Sequence, residues 1–282
     1  MYHILRKQKL ADKVFRMEIE APLIAGERAA GQFVIVQPDT DFGERIPLTI
    51  ADANPEAGSI TLIFQAVGKT TVQLSQMSKG DSIANVLGPL GNPTHIENFG
   101  HAVCVGGGIG VAPMHPIAQA LKAAGNKLTI IIGARSKDLI ILEDEMRELA
   151  DELIICTDDG SAGRKALVTE PLKELCESAA KPDKVFAIGP PIMMKFCVAT
   201  TRPYEVPTMV SLNTIMVDGT GMCGGCRVTV GGQTKFTCVD GPEFDGHQVD
   251  FENMMSRLGA YRNQEADALH RCRVGLDAGG AE

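Results

Sequence analysis

The sequence has no tryptophan, and aromatic residues make up only 5% of its 282 residues. A large core must therefore be built from aliphatic side chains. It has no basic block: 27 Lys and Arg face 35 Asp and Glu, for a formal charge of −8. That balance argues against nucleic-acid binding, which needs a positive stripe or patch. No run approaches the ~18 apolar residues of a membrane-spanning helix. The most apolar stretch, AVCVGGGIGVAPM, is short and glycine-rich. The first residues, MYHILRKQKLADKVF, lack the apolar segment of a secretory signal. These features predict a cytoplasmic protein without a membrane anchor. No Ser/His/Asp or Cys/His nucleophile arrangement stands out, so no side chain is assigned as a covalent catalyst.

Cysteine is present but is not spread as a disulfide framework. The eight stand at 104, 156, 176, 197, 223, 226, 238 and 272. The first four sit singly in apolar or helical contexts and read as small buried hydrophobes. Reduced thiols suit a cytosolic setting.

The length suggests two domains and a smaller third element. Residues 1–97 alternate in strand-length runs (KVFRMEIEAP, GQFVIVQP, RIPLTIAD, SITLIFQAVG, DSIANVLGPLG) broken by Gly, Pro, Asp and Asn. Several short antiparallel strands without a long helix predict a small β-barrel. Residues 98–214 alternate strand and helix, which predicts a parallel sheet in an α/β domain. Residues 215–282 begin with the glycine-dense MVDGTGMCGGCRVTVGGQTKFTCVDGPEFDG and end in one or two helices. The glycine-dense part has little apolar content, and a metal centre would order it.

GGGIGVAP at 106–113 lies between a strand and a helix. Glycines there let a pyrophosphate approach backbone N–H groups at the helix N-terminus. A tight turn without a ligand is the plainer reading. The usual acidic residue at the end of the second strand is missing; Arg135 stands there instead, either a plain surface arginine or a contact to an adenosine ribose or a 2′-phosphate, with a weak lean toward NADP. The loops 157–163 and 189–194 fall where later strands should end, so both would line the same nucleotide cleft. In the barrel, RIPLT offers Arg45 for a phosphate and Thr49 for a ring edge, although a solvated arginine followed by a plain turn is the simpler reading of the residues alone. The Gly68–Thr71 turn offers donors to a pyrophosphate.

The third region carries Asp218-x4-Cys223-x2-Cys226-x11-Cys238. Four thiolates spaced C-x4-C-x2-C…C would read as a plant-type [2Fe–2S] site. Here Asp218 holds the first place. Cys223 and Cys226 would reach one iron, and Cys238, returning on the hairpin RVTVGGQTKFT, would help hold the second. Zinc is the rival, with His247 as a conceivable fourth ligand. Cys272 is remote. Asp218 is otherwise a turn cap.

Arg45-x-Pro47-x-Thr49, then Gly68-Lys69-Thr70-Thr71, then Gly106 to Pro113, then Gly189-Pro190, resembles the ferredoxin–NADP reductase superfamily. SLNTIMVDGTGMCGGCRVTV is similar to its FAD and iron–sulfur subunits. These include the electron-transfer subunit of dihydroorotate dehydrogenase and, nearer, the small subunit of NADH-dependent reduced ferredoxin:NADP oxidoreductase. The resemblance spans essentially the whole chain. It implies a flavin site at Arg45, Pro47, Leu48 and Thr49, with the pyrophosphate at Gly68, Lys69, Thr70 and Thr71. It implies a nicotinamide nucleotide at Gly108, Gly110, Pro113, Asp158, Gly160, Gly189, Pro190 and Met193, with Arg135 beside them. It implies NAD(H) rather than NADP(H) here, against the lean of Arg135. It implies a [2Fe–2S] cluster on Asp218, Cys223, Cys226 and Cys238. The partner implied is a larger flavoprotein subunit carrying FAD and further iron–sulfur clusters, with ferredoxin reached indirectly. The resulting expectation is an electron-transfer subunit of a bifurcating oxidoreductase. A dihydroorotate dehydrogenase subunit, a sulfide or polysulfide reductase subunit and a zinc-stabilised binding module are the alternatives.

Overall fold

The computed structural model describes residues 1–39 and 43–274. Seven strands come first: β1 (Tyr2–Ala11), β2 (Val14–Glu20), β3 (Phe33–Gln37), β4 (Ile46–Asn54), β5 (Ser59–Gln65), β6 (Ser82–Ile83) and β7 (Asn85–Leu90). Short helices α1 (Pro22–Glu27) and α2 (Lys69–Gln76) interrupt them. The strands form one sheet in the order β6-β1-β2-β5-β4-β3-β7. Its edge strands β6 and β7 are neighbours in sequence, parted by Ala84. The sheet therefore curls until its edges approach, and becomes a nearly closed antiparallel barrel, which hides the unpaired backbone of the edges. Alternate residues fill it: Met17, Ile19, Ile60, Leu62 and Phe64 are buried in one core with Val34 and Val36.

The sequence pattern did not announce β1. Arg6, Lys7 and Lys9 interrupt its alternation, and only Ile4 and Ala11 are buried. It is a strand because β2 and β6 pair with it on either side.

From His101 onward strands and helices alternate: β8 (His101–Gly107), α3 (Val111–Ala123), β9 (Lys127–Ala134), α4 (Glu143–Leu149), β10 (Glu152–Thr157), β11 (Arg164–Lys165), α5 (Thr169–Glu177), β12 (Lys184–Ile188), α6 (Pro191–Thr201) and β13 (Thr208–Ser211). The chain then forms the hairpin β14 (Arg227–Val230) and β15 (Gln233–Phe236), α7 (Thr237–Asp240), β16 (Glu243–Asp245), α8 (Phe251–Leu258) and α9 (Arg262–Arg273). The second sheet runs β11-β10-β9-β8-β12-β13-β16. It is parallel except for β16. Every residue of β8 is buried, because α3 and α4 cover one face and α5, α6 and α8 the other. Cys104, Cys156, Cys176 and Cys197 are buried there as free thiols. Among the described residues no helix is long and apolar enough to cross a membrane.

The parts are joined by packing and by one buried carboxyl group. Ala51 of β4 and Ile63 of β5 share a core with Val111, Ala112 and Met114 of α3. The C-terminal strand β16 adds itself to β13. Its Glu243 accepts a hydrogen bond from Thr94 Oγ1 at 2.8 Å. The Thr94 N–H in turn donates to the Ala30 carbonyl at 2.8 Å. Barrel, connecting segment and C-terminal strand thus meet at one side chain.

Burial pushes the Glu243 carboxyl up to about 7, against the opposing pull of the Thr94 hydrogen bond and the Lys184 charge. Folded chains keep this proton over a pH range in which unfolded chains, with an ordinary pKa of about 4.3, have lost it. Its contribution to stability is full at low pH and is lost as pH rises through 7. E243Q has no such dependence. Urea unfolding of both proteins should show the variant gaining roughly 2–3 kcal/mol on the wild type between pH 5 and pH 8.5. A difference that stays flat over that range contradicts a protonated Glu243.

Candidate functional site

Residues 212–226 run in turns between β13 and β14. Leu212 at its start is buried in the core of the second sheet, and the part that carries the sulfurs is anchored by Met216. This methionine sits in a small core with Phe33, Ile35, Cys226 and Cys238, against which Leu90 and Phe236 pack. Gly219 lies in the left-handed region at φ 75°. A Cβ there would stand 2.7 Å from Ile35 Cγ1 and 2.8 Å from Leu90 Cδ1. Glycine is what lets this loop lie flat on the barrel. The hairpin that follows turns at Gly231 and Gly232, both at positive φ, as its sequence predicts.

The structure brings the four sequence-selected ligands together as two pairs. The Cys223 thiol donates to Asp218 Oδ1 at 2.8 Å. Thr220 Oγ1 and the Met222 N–H donate to Asp218 Oδ2 at 2.7 and 2.9 Å. The Cys226 thiol donates to the Cys238 sulfur at 3.3 Å. Cys223 and Cys226, expected to reach one iron together, are here hydrogen-bonded to different partners, with Gly224 and Gly225 between them. The hydrogen bonds, the Cys223 thiol foremost, hold the Asp218 carboxyl well below the usual carboxylate range. Burial, and then the Cys226 thiol, push Cys238 up to about 12. Thiol protons sit where a metal would bridge each pair, so loading must release them.

The donor set fits a two-iron cluster. Tetrahedral bonds of about 2.3 Å place neighbouring sulfurs roughly 3.7 Å apart, and a slight opening of the 3.3 Å Cys226–Cys238 pair reaches that. Backbone N–H groups already face the sulfurs, from Gly225 to Cys223 at 3.5 Å and from Gly221 to Cys238. Such bonds tune iron–sulfur potentials. Among the described residues no three His, Cys, Asp or Glu side chains converge on one point. A lone zinc would need such convergence, whereas a two-iron cluster takes two donors per iron. His247 is engaged elsewhere, with Nε2 3.2 Å from Thr201 Oγ1. Cys272 lies on α9, which packs against α2.

The glycine turn after β8 is a second cradle. Gly108 has φ 54° and nothing within 4 Å of where a Cβ would stand, which leaves room for a ligand. Gly110 is the opposite case: a Cβ would run into the Ile188 carbonyl and Gly189. The turn therefore lies against the loop between β12 and α6. Gly108, Gly110, Gly189, Pro190 and Met193 are brought together, with the Met193 sulfur against Gly107 and Gly189. Pro113 sits in the first turn of α3. Arg135, Asp158 and Gly160 are exposed at the carboxyl ends of β9 and β10. The Asp158 N–H donates to the Ala134 carbonyl at 3.1 Å, and the Asp159 N–H to the Arg135 carbonyl at 3.2 Å. All lie at the edge of a parallel sheet where nucleotides bind.

The barrel residues divide by parity. Ile46 and Leu48 pack against the barrel core. Arg45, Pro47 and Thr49 alternate with them and take the outer face. Leu48 therefore turns away from the row to which the sequence assigned it. At the start of α2, the Thr71 hydroxyl accepts from the Gly68 and Val67 N–H groups at 3.0 and 3.1 Å. Thr70 is buried and donates to Glu44 Oε2 at 3.2 Å. Both threonine side chains are thus used locally, and the helix offers a phosphate its backbone N–H groups.

A cleft of about 310 Å³ opens elsewhere, between the outer faces of β1, β2 and β5 and helix α3. None of the sequence-selected residues lines it. It holds His115, with Nδ1 3.3 Å from the Ala51 carbonyl, and the Arg16–Glu145 ion pair at 2.5 Å. No sequence signal marks either, because their partners are distant in the chain. These contacts brace the barrel against α3 and α4.

Residues 213–250 match the iron–sulfur cluster binding domain of dihydroorotate dehydrogenase B, and residues 104–199 match the oxidoreductase NAD-binding domain. The electron transfer subunit homolog of dihydroorotate dehydrogenase B (NAD(+)) from Thermotoga maritima is 52% identical over 268 residues, covering 95% of this chain and 94% of that one. The corresponding electron transfer subunit from Streptococcus mutans is 33% identical, covering 87% of this chain and 96% of its own. A chain of the NADH-dependent reduced ferredoxin–NADP oxidoreductase, described for flavin-based electron bifurcation, superposes with a TM-score of 0.91 at 50% identity, covering 96% and 97% of the two chains. Phthalate dioxygenase reductase, at 18% identity and a TM-score of 0.58, shares the fold. The chain belongs to the dihydroorotate dehydrogenase B-like family of electron-transfer subunits, oxidoreductases that link NAD(H), FAD and an iron–sulfur cluster.

Proposed function

We propose that this chain is the NAD(H)-side electron-transfer subunit of a bifurcating oxidoreductase of the NADH-dependent reduced ferredoxin–NADP type. The observation that carries the reading is the Asp218–Cys223 pair: a carboxylate occupies the first ligand place of a ferredoxin-like pattern, 2.8 Å from the next ligand. The 50% identity over nearly the whole of a chain from that enzyme supports it.

In this reading Arg45 neutralises a flavin phosphate, while Pro47 and Thr49 face the ring. N–H groups at Lys69, Thr70 and Thr71 hold the pyrophosphate. The open cradle at Gly108 admits the nicotinamide nucleotide, and Gly110, Pro113, Gly189, Pro190 and Met193 shape its walls. Arg135, Asp158 and Gly160 meet the adenosine end. Asp158 and Asp159 pair through their backbone N–H groups with the Ala134 and Arg135 carbonyls, so two acidic residues enter the end of the sheet that carries Arg135, a poor setting for an added 2′-phosphate, which favours NAD(H). Asp218 and Cys223 hold one iron, and Cys226 and Cys238 the other. When bound, the nicotinamide supplies a hydride, the flavin splits the pair, and the cluster carries single electrons. The protein binds, orients and excludes water, and no side chain acts as a covalent catalyst. The domain division at 97/98 and 214/215 assigns one cofactor to each part. A larger flavoprotein subunit with further iron–sulfur clusters is the partner, in the cytoplasm.

A dihydroorotate dehydrogenase partnership is the second reading, favoured by the name of the Thermotoga maritima relative. The subunit that co-purifies with this chain decides between them.

Three outcomes are expected. Anaerobically isolated protein should carry FAD and two irons per chain. D218C should give a spectrum and potential different from the wild type, and D218A should lose iron. Unchanged spectrum and potential in both variants rule out Asp218 as a ligand. G108A fills the open cradle with a methyl group and strains φ by about 1 kcal/mol. It should raise the KM for NADH by roughly tenfold or more while retaining its flavin and iron. A normal KM would move the nucleotide away from Gly108.

A further inference from the structure

The two donor pairs have unlike surroundings. Cys226 and Cys238 are each 1% exposed and are packed among Phe33, Ile35 and Met216. Cys223 is exposed, and its neighbour Met222 is 88% exposed. One pair faces the barrel and the other faces outward.

The barrel wall beneath the inner pair is β3. Phe33 and Ile35 are the register partners of Thr49 and Pro47 on β4. Directly opposed residues of an antiparallel pair point to the same face of the sheet, with strands about 4.8 Å apart. Val34 and Val36 point the other way, into the barrel core. Pro47, Thr49, Phe33 and Ile35 therefore form one continuous outer surface. The packing on it is close. A Cβ on Gly91 would stand 2.8 Å from Phe33 Cε1, as one on Gly219 would stand 2.7 Å from Ile35 Cγ1. Phe33 and Ile35 are each 3% exposed.

We infer that the cluster has a built-in polarity. On the flavin side, electrons pass across Phe33 and Ile35 through the iron held by Cys226 and Cys238. On the outer side, they pass to the partner through the iron held by Asp218 and Cys223. The inference rests on the proposed function and adds the route. NADH gives a hydride to the flavin. The flavin then loses one electron, one iron goes from ferric to ferrous, and the accompanying flavin proton goes to solvent. The second electron follows once the first has left to a one-electron acceptor. No bond is made or broken at the cluster. Phe33 is a positioning residue that fixes the spacing between the two centres and keeps water from between them.

The test uses holoprotein containing FAD and iron. F33L keeps the wall filled, and F33A opens it. After mixing with NADH, flavin bleaching should proceed at the wild-type rate in both. Cluster reduction, followed by freeze-quench electron paramagnetic resonance, should slow by about tenfold in F33A and less in F33L, since small misplacements of reacting centres are costly. The midpoint potentials of both cofactors should not move. In protein carrying ring-deuterated phenylalanine, the reduced wild-type cluster should show a deuteron coupling that F33L diminishes. Wild-type cluster reduction rates in both variants, or deuteron couplings indifferent to F33L, overturn the route. Protein that holds flavin and iron but is not bleached by NADH would instead defeat the functional reading beneath it.

Discussion

Phe33 and Ile35 turn outward from the barrel, and the sulfur-bearing loop closes on them. That contact organises the rest. The loop is dense in glycine and has little apolar surface of its own, so it cannot build a core. It borrows one, from two side chains of β3 and from Leu90 of β7. The left-handed turn at Gly219 permits the approach. The outcome is two candidate ligand pairs held at different depths, one buried against the barrel and one open. The same strand is the ladder neighbour of β4, where the outward row of Arg45, Pro47 and Thr49 lies. One strand thus separates the row proposed for flavin from the cysteines proposed for iron.

Much of this was legible in the sequence, and the limits have physical causes. The runs that became β2 to β5 alternate or are apolar throughout, because one face of each fills the barrel and the outer face of β3 is also covered. The strand β1 hides because Arg6, Lys7 and Lys9 interrupt its alternation and only Ile4 and Ala11 are buried. The glycine turn after β8 could be placed because strand, glycines and helix come in order along the chain. The pairing of Asp218 with Cys223 and of Cys226 with Cys238 could not, because spacing constrains reach and not direction. Leu48 was grouped with its neighbours by motif, whereas strand parity sends it into the core. Thr70 and Thr71 looked like phosphate donors, but Glu44 and the local backbone take their hydroxyls. The strand β16 and the buried Glu243 were invisible, since each depends on partners far away in sequence.

The placement of charge follows the same economy. The chain is acidic overall, yet the surfaces proposed for its cofactors offer few cations and rely on backbone N–H groups at helix starts and glycine turns. Burial pushes the Glu243 carboxyl up to about 7 where three parts of the chain meet. The outer rim of the cluster loop carries exposed Val217, Met222 and Val239, a setting suited to a subunit that gives or takes single electrons.

Mössbauer spectroscopy of iron-57-labelled protein tests the central claim most directly. The account predicts two inequivalent irons in equal amounts, one in an all-sulfur environment and one with an oxygen ligand, with the inequivalence abolished or reduced in D218C. Two identical all-sulfur sites in the wild type, or iron replaced by stoichiometric zinc, would contradict it.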